Sequence, residues 1–241
     1  MHCAQPRRPF LVSGSLDGSV VTWSIGGAHN VRDEMLELFG GATLTASSAN
    51  KAPLLTVLRY LSGHRAGVVS VAVSSQAGLV ASGATDGRVL LHTLQTGELV
   101  RSVAHGELGS GAADLVCLVP GAGAVVSHSR ASRVMVSDTV NGRQLARLDV
   151  GEAVNFVVVA TSMSLEVLVC GNELGDVAIR RVEDLVVTRR IAYTKRYRGV
   201  RCGACAANGA VIYFGCNDGS LVVLSDGSEL IESGAAETNV D

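Results

Sequence analysis

Short apolar runs recur along this chain, each closed by a small residue, a glycine and a tight polar turn before a second apolar run begins. Five segments share the pattern: LVSGSLDGSVVTW (11–23), LVASGATDGRVLLH (79–92), AVVSHSRASRVMVS (124–137), VLVCGNELGDVAIR (167–180) and VIYFGCNDGSLVVL (211–224). Their turn position falls at Gly18, Gly87, Ser132, Gly175 and Gly219, which gives steps of 69, 45, 43 and 44 residues. A four-stranded propeller blade needs roughly 40–45 residues, so the period fits a run of blades. The longer first step is a single insertion, placed at 26–53.

The chemistry of the runs is that of strands. Val68 to Val73 is β-branched and bounded by Gly67 and Ser74-Ser75. Asp86-Gly87 and Asp218-Gly219 sit between apolar runs, which is a hairpin signal. The second repeat predicts strands near 67–74, 79–84, 88–94 and 98–104, with outer strands elsewhere near 55–61, 143–149 and 185–192. Helical periodicity is confined to Arg32–Phe39, inside the insertion. The expected fold is all-β: a β-propeller region over 1–225 with about five four-stranded blades, the first and last incomplete, forming part of a larger ring. Such an arc would leave two open sheet faces, which invite association. The tail 226–241 carries Glu229, Glu232, Glu237 and Asp241 and is expected to be disordered.

Composition narrows the partners. Of 241 residues, 47% are hydrophobic and 17% charged, and the 28 glycines suit many tight turns. A net charge of −2 and few aromatics argue against a nucleic-acid binder, so any anion binding must come from a local patch. Six cysteines spread over the chain do not make the dense framework of a small secreted domain, and a reducing cytosolic setting is the default expectation. The longest apolar stretch, Val154–Gly171, is broken by Asn155, Thr161, Ser162, Ser164 and Glu166 and does not read as a membrane span.

The second repeat runs Gly63-His64, an inner strand, Ser82-Gly83, Asp86-Gly87 and an apolar strand ending at His92. This resembles the WD-repeat signature, in which His, Ser, Asp and Trp hydrogen-bond across a blade. His64, Ser82 and Asp86 take the first three positions and His92 replaces the Trp. In the first repeat Ser13, Asp17 and Trp23 match. Later repeats drift: Ser127 is kept, but Cys170 and Arg180 stand where Ser and Trp are expected.

A narrower resemblance covers most of the chain. The segments AGLVASGATDGRVLLHTLQTGELVRSV (77–103), LVCGNELGDVAIRRVEDLVV (168–187) and RGVRCGACAANGAVIYFGCNDGSLVVL (198–224) look like the propeller that ends BEACH-domain proteins of the neurobeachin type. That resemblance implies a non-catalytic protein-interaction scaffold acting in vesicle traffic. It also implies PH-like and BEACH domains elsewhere in a full-length chain, and a cytoplasmic location peripheral to membranes.

His64, Ser82 and Asp86 could suggest a hydrolytic triad, but Ser13 and Asp17 recur at the same places one repeat earlier, which a catalytic nucleophile would not do. Cys202 and Cys205 form a C-x-x-C, yet the repeat puts both inside one inner strand, where residues three apart face opposite sides and cannot chelate together. No cofactor, metal site or catalytic residue is expected. The remaining candidates are cations: Lys195, Arg196, Arg198 and Arg201 in one loop, with Arg65, Arg88, Arg130 and Arg133 on turns of the same rim. Together they could contact acidic peptides or, as the alternative function, phosphoinositide and other anionic lipid headgroups. Asp17, Asp86, Glu173, Asp176 and Asp218 share that rim and weigh against a basic face.

Overall fold

A computed structural model of the chain describes residues 10–25, 55–105, 111–129, 133–149, 154–162, 165–172, 174–192, 199–205, 211–225 and 231–233. These residues form strands and turns only, in five antiparallel meanders. Blade one holds β1 (Phe10–Gly14), β2 (Val20–Ile25) and β3 (Leu55–Leu61). Blade two holds β4 (Val68–Ser74), β5 (Leu79–Ala84), β6 (Arg88–Thr93) and β7 (Leu99–Ala104). Blade three holds β8 (Leu115–Val119), β9 (Ala124–Ser129), β10 (Arg133–Asp138) and β11 (Gln144–Asp149). Blade four holds β12 (Val154–Ser162), β13 (Leu165–Asn172), β14 (Asp176–Arg181) and β15 (Val187–Ala192). Blade five holds β16 (Val200–Cys205), β17 (Val211–Cys216), β18 (Leu221–Ser225) and β19 (Ile231–Ser233).

The repeat expected from the turn spacing is therefore present, with one correction at its end. Blade one is three-stranded, but blade five is complete. Its fourth strand comes from the tail expected to be disordered: Ile231, Glu232 and Ser233 pair with Val223, Val222 and Leu221. The open edge of β18 supplies backbone donors and acceptors, and satisfying them decides the conformation of this acidic stretch. The insertion 26–53, with its helical Arg32–Phe39, lies outside the described residues.

The described turns β1–β2, β5–β6, β13–β14 and β17–β18 each hold a residue at positive φ. Gly18, Gly87, Gly175 and Gly219 provide it at +89°, +78°, +92° and +83°. Only glycine adopts that region without a Cβ clash, which is why these glycines carry the sequence period. β-bulges recur at one place too, between the third and fourth strands at Thr22/Trp23, Leu91/His92, Val136/Ser137 and Ile179/Arg180. A bulge adds twist, and its repetition gives successive blades the same curvature.

The core lies between the blades. One buried cluster joins blades one and two through Val20, Leu61, Val68 and Val80, and a second joins blades two and three through Ala81, Val89, Leu91, Ala113 and Val116. A third unites blades three and four around Val126, Val136, Val157 and Leu168, and a fourth unites blades four and five around Val169, Val177, Phe214 and Val222. Strands such as β9 are buried on both faces because a neighbour covers each side. At the two ends of the arc, Leu11 and Tyr60 of blade one and Tyr213 and Leu221 of blade five are exposed.

Long side chains also reach across the seams. Arg59 of β3 lies over Gly97 of the next blade, where an added Cβ would meet its Cδ at 3.0 Å. Arg101 of β7 lies over Gly142 in the same way, at 3.2 Å, and donates to the Val140 carbonyl. At the next seam the strand position of Arg59 and Arg101 belongs to Ala146, and the turn position of Gly97 and Gly142 belongs to Leu185. Leu185 accepts a φ of +59° and is 2% exposed, in one buried cluster with Ala146. Volume removed from the strand has been returned to the turn.

Candidate interaction rim

The residues expected to form the blade network do so in pieces. In blade one the Trp23 indole Nε1–H donates to Ser13 Oγ at 2.8 Å. In blade two His64 Nε2 lies 2.7 Å from Ser82 Oγ, while His92, at the Trp position, turns its Nε2 to the Ser62 carbonyl at 3.0 Å. The register explains the placement, since Ser13 and Ser82 stand opposite Val21 and Leu90, with Trp23 and His92 two residues further on.

The aspartates depart from expectation. Asp17 Oδ1 accepts the Ser19 N–H at 2.8 Å, and Asp86 Oδ1 accepts the Arg88 N–H at 3.0 Å, so both carboxylates brace their own turns. No hydrogen bond joins Asp86 to His64, whose buried Nδ1 has no partner among the described residues. Spacing alone cannot distinguish a carboxylate that folds back on its turn from one that reaches across the blade. Burial lowers the His64 pKa, and the Asp86 charge opposes that shift without reversing it. The arrangement lacks the group that would orient a catalytic histidine, and Ser82 is 0% exposed, beyond the reach of any substrate.

Blade three contains a residue that the repeat reading missed. His105 Nδ1 lies 2.7 Å from Ser127 Oγ, the counterpart of the His64–Ser82 pair. Its sequence signal was blurred because it follows Ala104 rather than glycine and stands 22 residues before its serine, against 18 for His64. Desolvation first, then the Arg133 charge, push the His105 pKa down to about 4. In blade four the pairing changes chemistry. Arg180 takes the Trp position and donates from Nη1 to the Leu185 carbonyl at 2.8 Å, and its charge opposes the rise in the Cys170 pKa that burial causes. Asn172 Oδ1 replaces the turn aspartate by accepting the N–H groups of Leu174 and Asp176 at 3.1 and 2.8 Å.

Turns and inter-blade loops meet on one rim through backbone bonds. Val68 N donates to Ser15 O at 2.9 Å, Thr85 N to Gly67 O at 2.9 Å, His105 N to Gly87 O at 2.7 Å and Asn217 N to Gly199 O at 2.9 Å. Of the eight candidate cations, Arg130, Lys195, Arg196 and Arg198 lie outside the described residues. Arg65, Arg88 and Arg201 are exposed on the rim, with Arg133 half-buried at the start of β10. Polar and acidic neighbours surround the described cations. Arg88 Nε is 3.8 Å from Asp86, Arg201 Nε hydrogen-bonds Asn217, and Asp17, Asp176 and Asp218 add negative charge nearby. The described rim is a rigid frame with mixed charge.

Comparison with known proteins agrees with this architecture. A family profile described as the neurobeachin β-propeller domain matches residues 4–232. A neurobeachin homologue of Caenorhabditis elegans is 26% identical over 216 residues, and BEACH domain-containing protein B of Arabidopsis thaliana is 25% identical over 223 residues. Each alignment covers 90% of this chain and 8% of the relative, so the chain spans a small part of those proteins' length. Among solved structures, the WD40 β-propeller of Doa1 superposes with a TM-score of 0.62 at 15% identity, covering 91% of this chain and 63% of that one. The computationally designed Ika8 protein gives 0.63 at 20% identity, with coverages of 92% and 57%. These likenesses speak for the fold alone.

Proposed function

We propose, from the premise that the chain belongs to the neurobeachin β-propeller family, that it is a non-catalytic protein-interaction scaffold whose rim docks partners of a BEACH-type protein in membrane traffic. In that reading PH-like and BEACH domains belong to the same full-length protein, which works in the cytosol at membrane surfaces. The observation that carries the proposal is the rim itself. Backbone hydrogen bonds tie the loops to the turns, within blades two and five and between blades at Val68 N to Ser15 O and Ala113 N to Ala84 O, so exposed side chains there are held in place before a partner arrives. Pre-ordering removes much of the entropy cost of binding, which is how a rigid frame with mixed charge gains affinity without a large apolar patch.

The anionic-lipid alternative depends on the run 195–201, of which only residues 199–201 are described. On the described rim the cations are offset by carboxylates, which favours a protein partner. The test is affinity capture with the chain carrying Arg65→Glu and Arg88→Glu, beside a control with Arg143→Glu in the turn at the other end of the strands. Loss of partners in the rim variant but not in the control supports the reading. Equal capture by both refutes rim docking. Sedimentation with anionic vesicles that is lost on Arg196→Glu with Arg198→Glu would transfer support to the lipid alternative.

A further inference from the structure

The row formed by the network position and its cross-strand neighbours changes character along the arc. In blade two it reads Ser82, Leu90 and Ser102; in blade three, Ser127, Met135 and Arg147; in blade four, Cys170, Ala178 and Arg190. A leucine or methionine fills the middle of the row in two blades, and an alanine stands there in the third. The missing volume is visible as a cleft of about 60 Å³ in blade four, bordered by Cys170, Ala178, Asn172, Asp176, Arg180 and Arg190. That is room for roughly two water molecules or one carboxyl group.

The cleft's chemistry is specific. Among the described residues two guanidinium groups and one carboxylate border it, a single net positive charge. Arg180 donates from Nη1 to the Leu185 carbonyl, and the exposed Arg190 stands on the cleft's other border. The planar fork of a guanidinium matches the two oxygens of a carboxylate.

We infer that blade four carries a socket for a single carboxylate, the side chain of an acidic residue in a bound peptide, held by Arg180 and Arg190. The charge balance selects a monoanion: with Asp176 present, one carboxylate neutralises the site, whereas a dianionic phosphate would leave it negative. The inference deepens the scaffold reading by naming a contact chemistry for its partners. Its own support is the Leu90, Met135 and Ala178 series and the two arginines that line the cleft.

The test titrates sodium acetate and N-acetylglutamate amide into the ¹⁵N-labelled chain at fixed ionic strength, reading the arginine Nε–Hε resonances. A saturable shift of the Arg180 resonance is expected with both carboxylates. Arg190→Gln should weaken it about tenfold, as expected for loss of a charge-assisted hydrogen bond. Ala178→Leu, which restores the leucine of blade two, should abolish the shift while the far-ultraviolet circular dichroism is unchanged. A linear response matching sodium chloride, or a saturable shift that survives Ala178→Leu, overturns the socket. Tighter saturation by inorganic phosphate than by acetate overturns the carboxylate assignment. Rim docking stands or falls by affinity capture, so failure of the socket leaves that result untouched.

Discussion

Acidification should weaken this fold well above the pH at which carboxylates titrate, and His105 should be the largest single cause. The imidazole is 2% exposed, its Nδ1 is engaged by Ser127, its Nε2 is buried without a partner among the described residues, and Arg133 lies close enough to oppose a second positive charge. Its pKa is about 4 in the folded chain against 6.5 for an ordinary histidine. The folded pKa is the lower of the two, so the unfolded chain takes up a proton first as pH falls. The stability that neutral His105 supplies is fully present above pH 6.5 and is lost progressively between 6.5 and about 4. One pKa unit corresponds to about 1.4 kcal/mol, so the complete loss is on the order of 3 kcal/mol, a large share of a typical domain's stability.

Urea unfolding at pH 7.5, 6.0, 5.0 and 4.5 measures this. His64 and His92 are also pushed down by burial and add to the slope of the wild-type chain. The difference between wild type and His105→Gln therefore isolates the one residue. At pH 7.5 the variant should be the less stable, and the gap should close as pH falls through the window. A gap that stays constant from pH 7.5 to 4.5 would show that His105 titrates alike in both states, and the burial argument would fail.

Leu185→Gly should relieve a positive φ worth about 1–2 kcal/mol but empty a buried site worth about 2–5 kcal/mol, for a net destabilisation in thermal or urea unfolding. Adding Ala146→Arg should recover part of that loss, because the pair then matches Arg101 and Gly142; purely additive effects in the double-mutant cycle would refute the volume exchange. Gly83→Ala should cost about 1–3 kcal/mol, since its Cβ would sit 2.6 Å from the Ala113 carbonyl oxygen of the next blade. An unchanged urea midpoint for Gly83→Ala would mean that the seam is looser than the distances imply.

Much of this architecture could be read from the chain because the features that repeat are those with no substitute. The turn glycines at positive φ and the doubly buried apolar strands recur at a fixed step, and the strand expectations for blade two fall within a residue of β4 to β7. What escaped the reading was settled by neighbours distant in sequence. Leu185 gives no hint of a left-handed backbone, since its partner Ala146 lies 39 residues away. β19 looks like an acidic tail until the edge of β18 is placed beside it. The turn aspartates have the right spacing to reach a histidine, and only the coordinates show that their own turn amides hold them instead.

The drift of the blade network has a direction. Blades two and three each couple a histidine to a serine. Blade four replaces serine with Cys170, the Trp position with Arg180 and the intervening leucine or methionine with Ala178, three changes that together exchange a filled apolar site for an open, positively charged one. Loss of packing without compensation should be disfavoured, because a cavity destabilises the blade. The Ala146–Leu185 exchange shows that this chain does compensate where only stability is at issue. No such refilling is seen at Ala178, and the uncompensated site is the one lined by two arginines. That contrast is the physical reason for placing the proposed carboxylate socket in blade four.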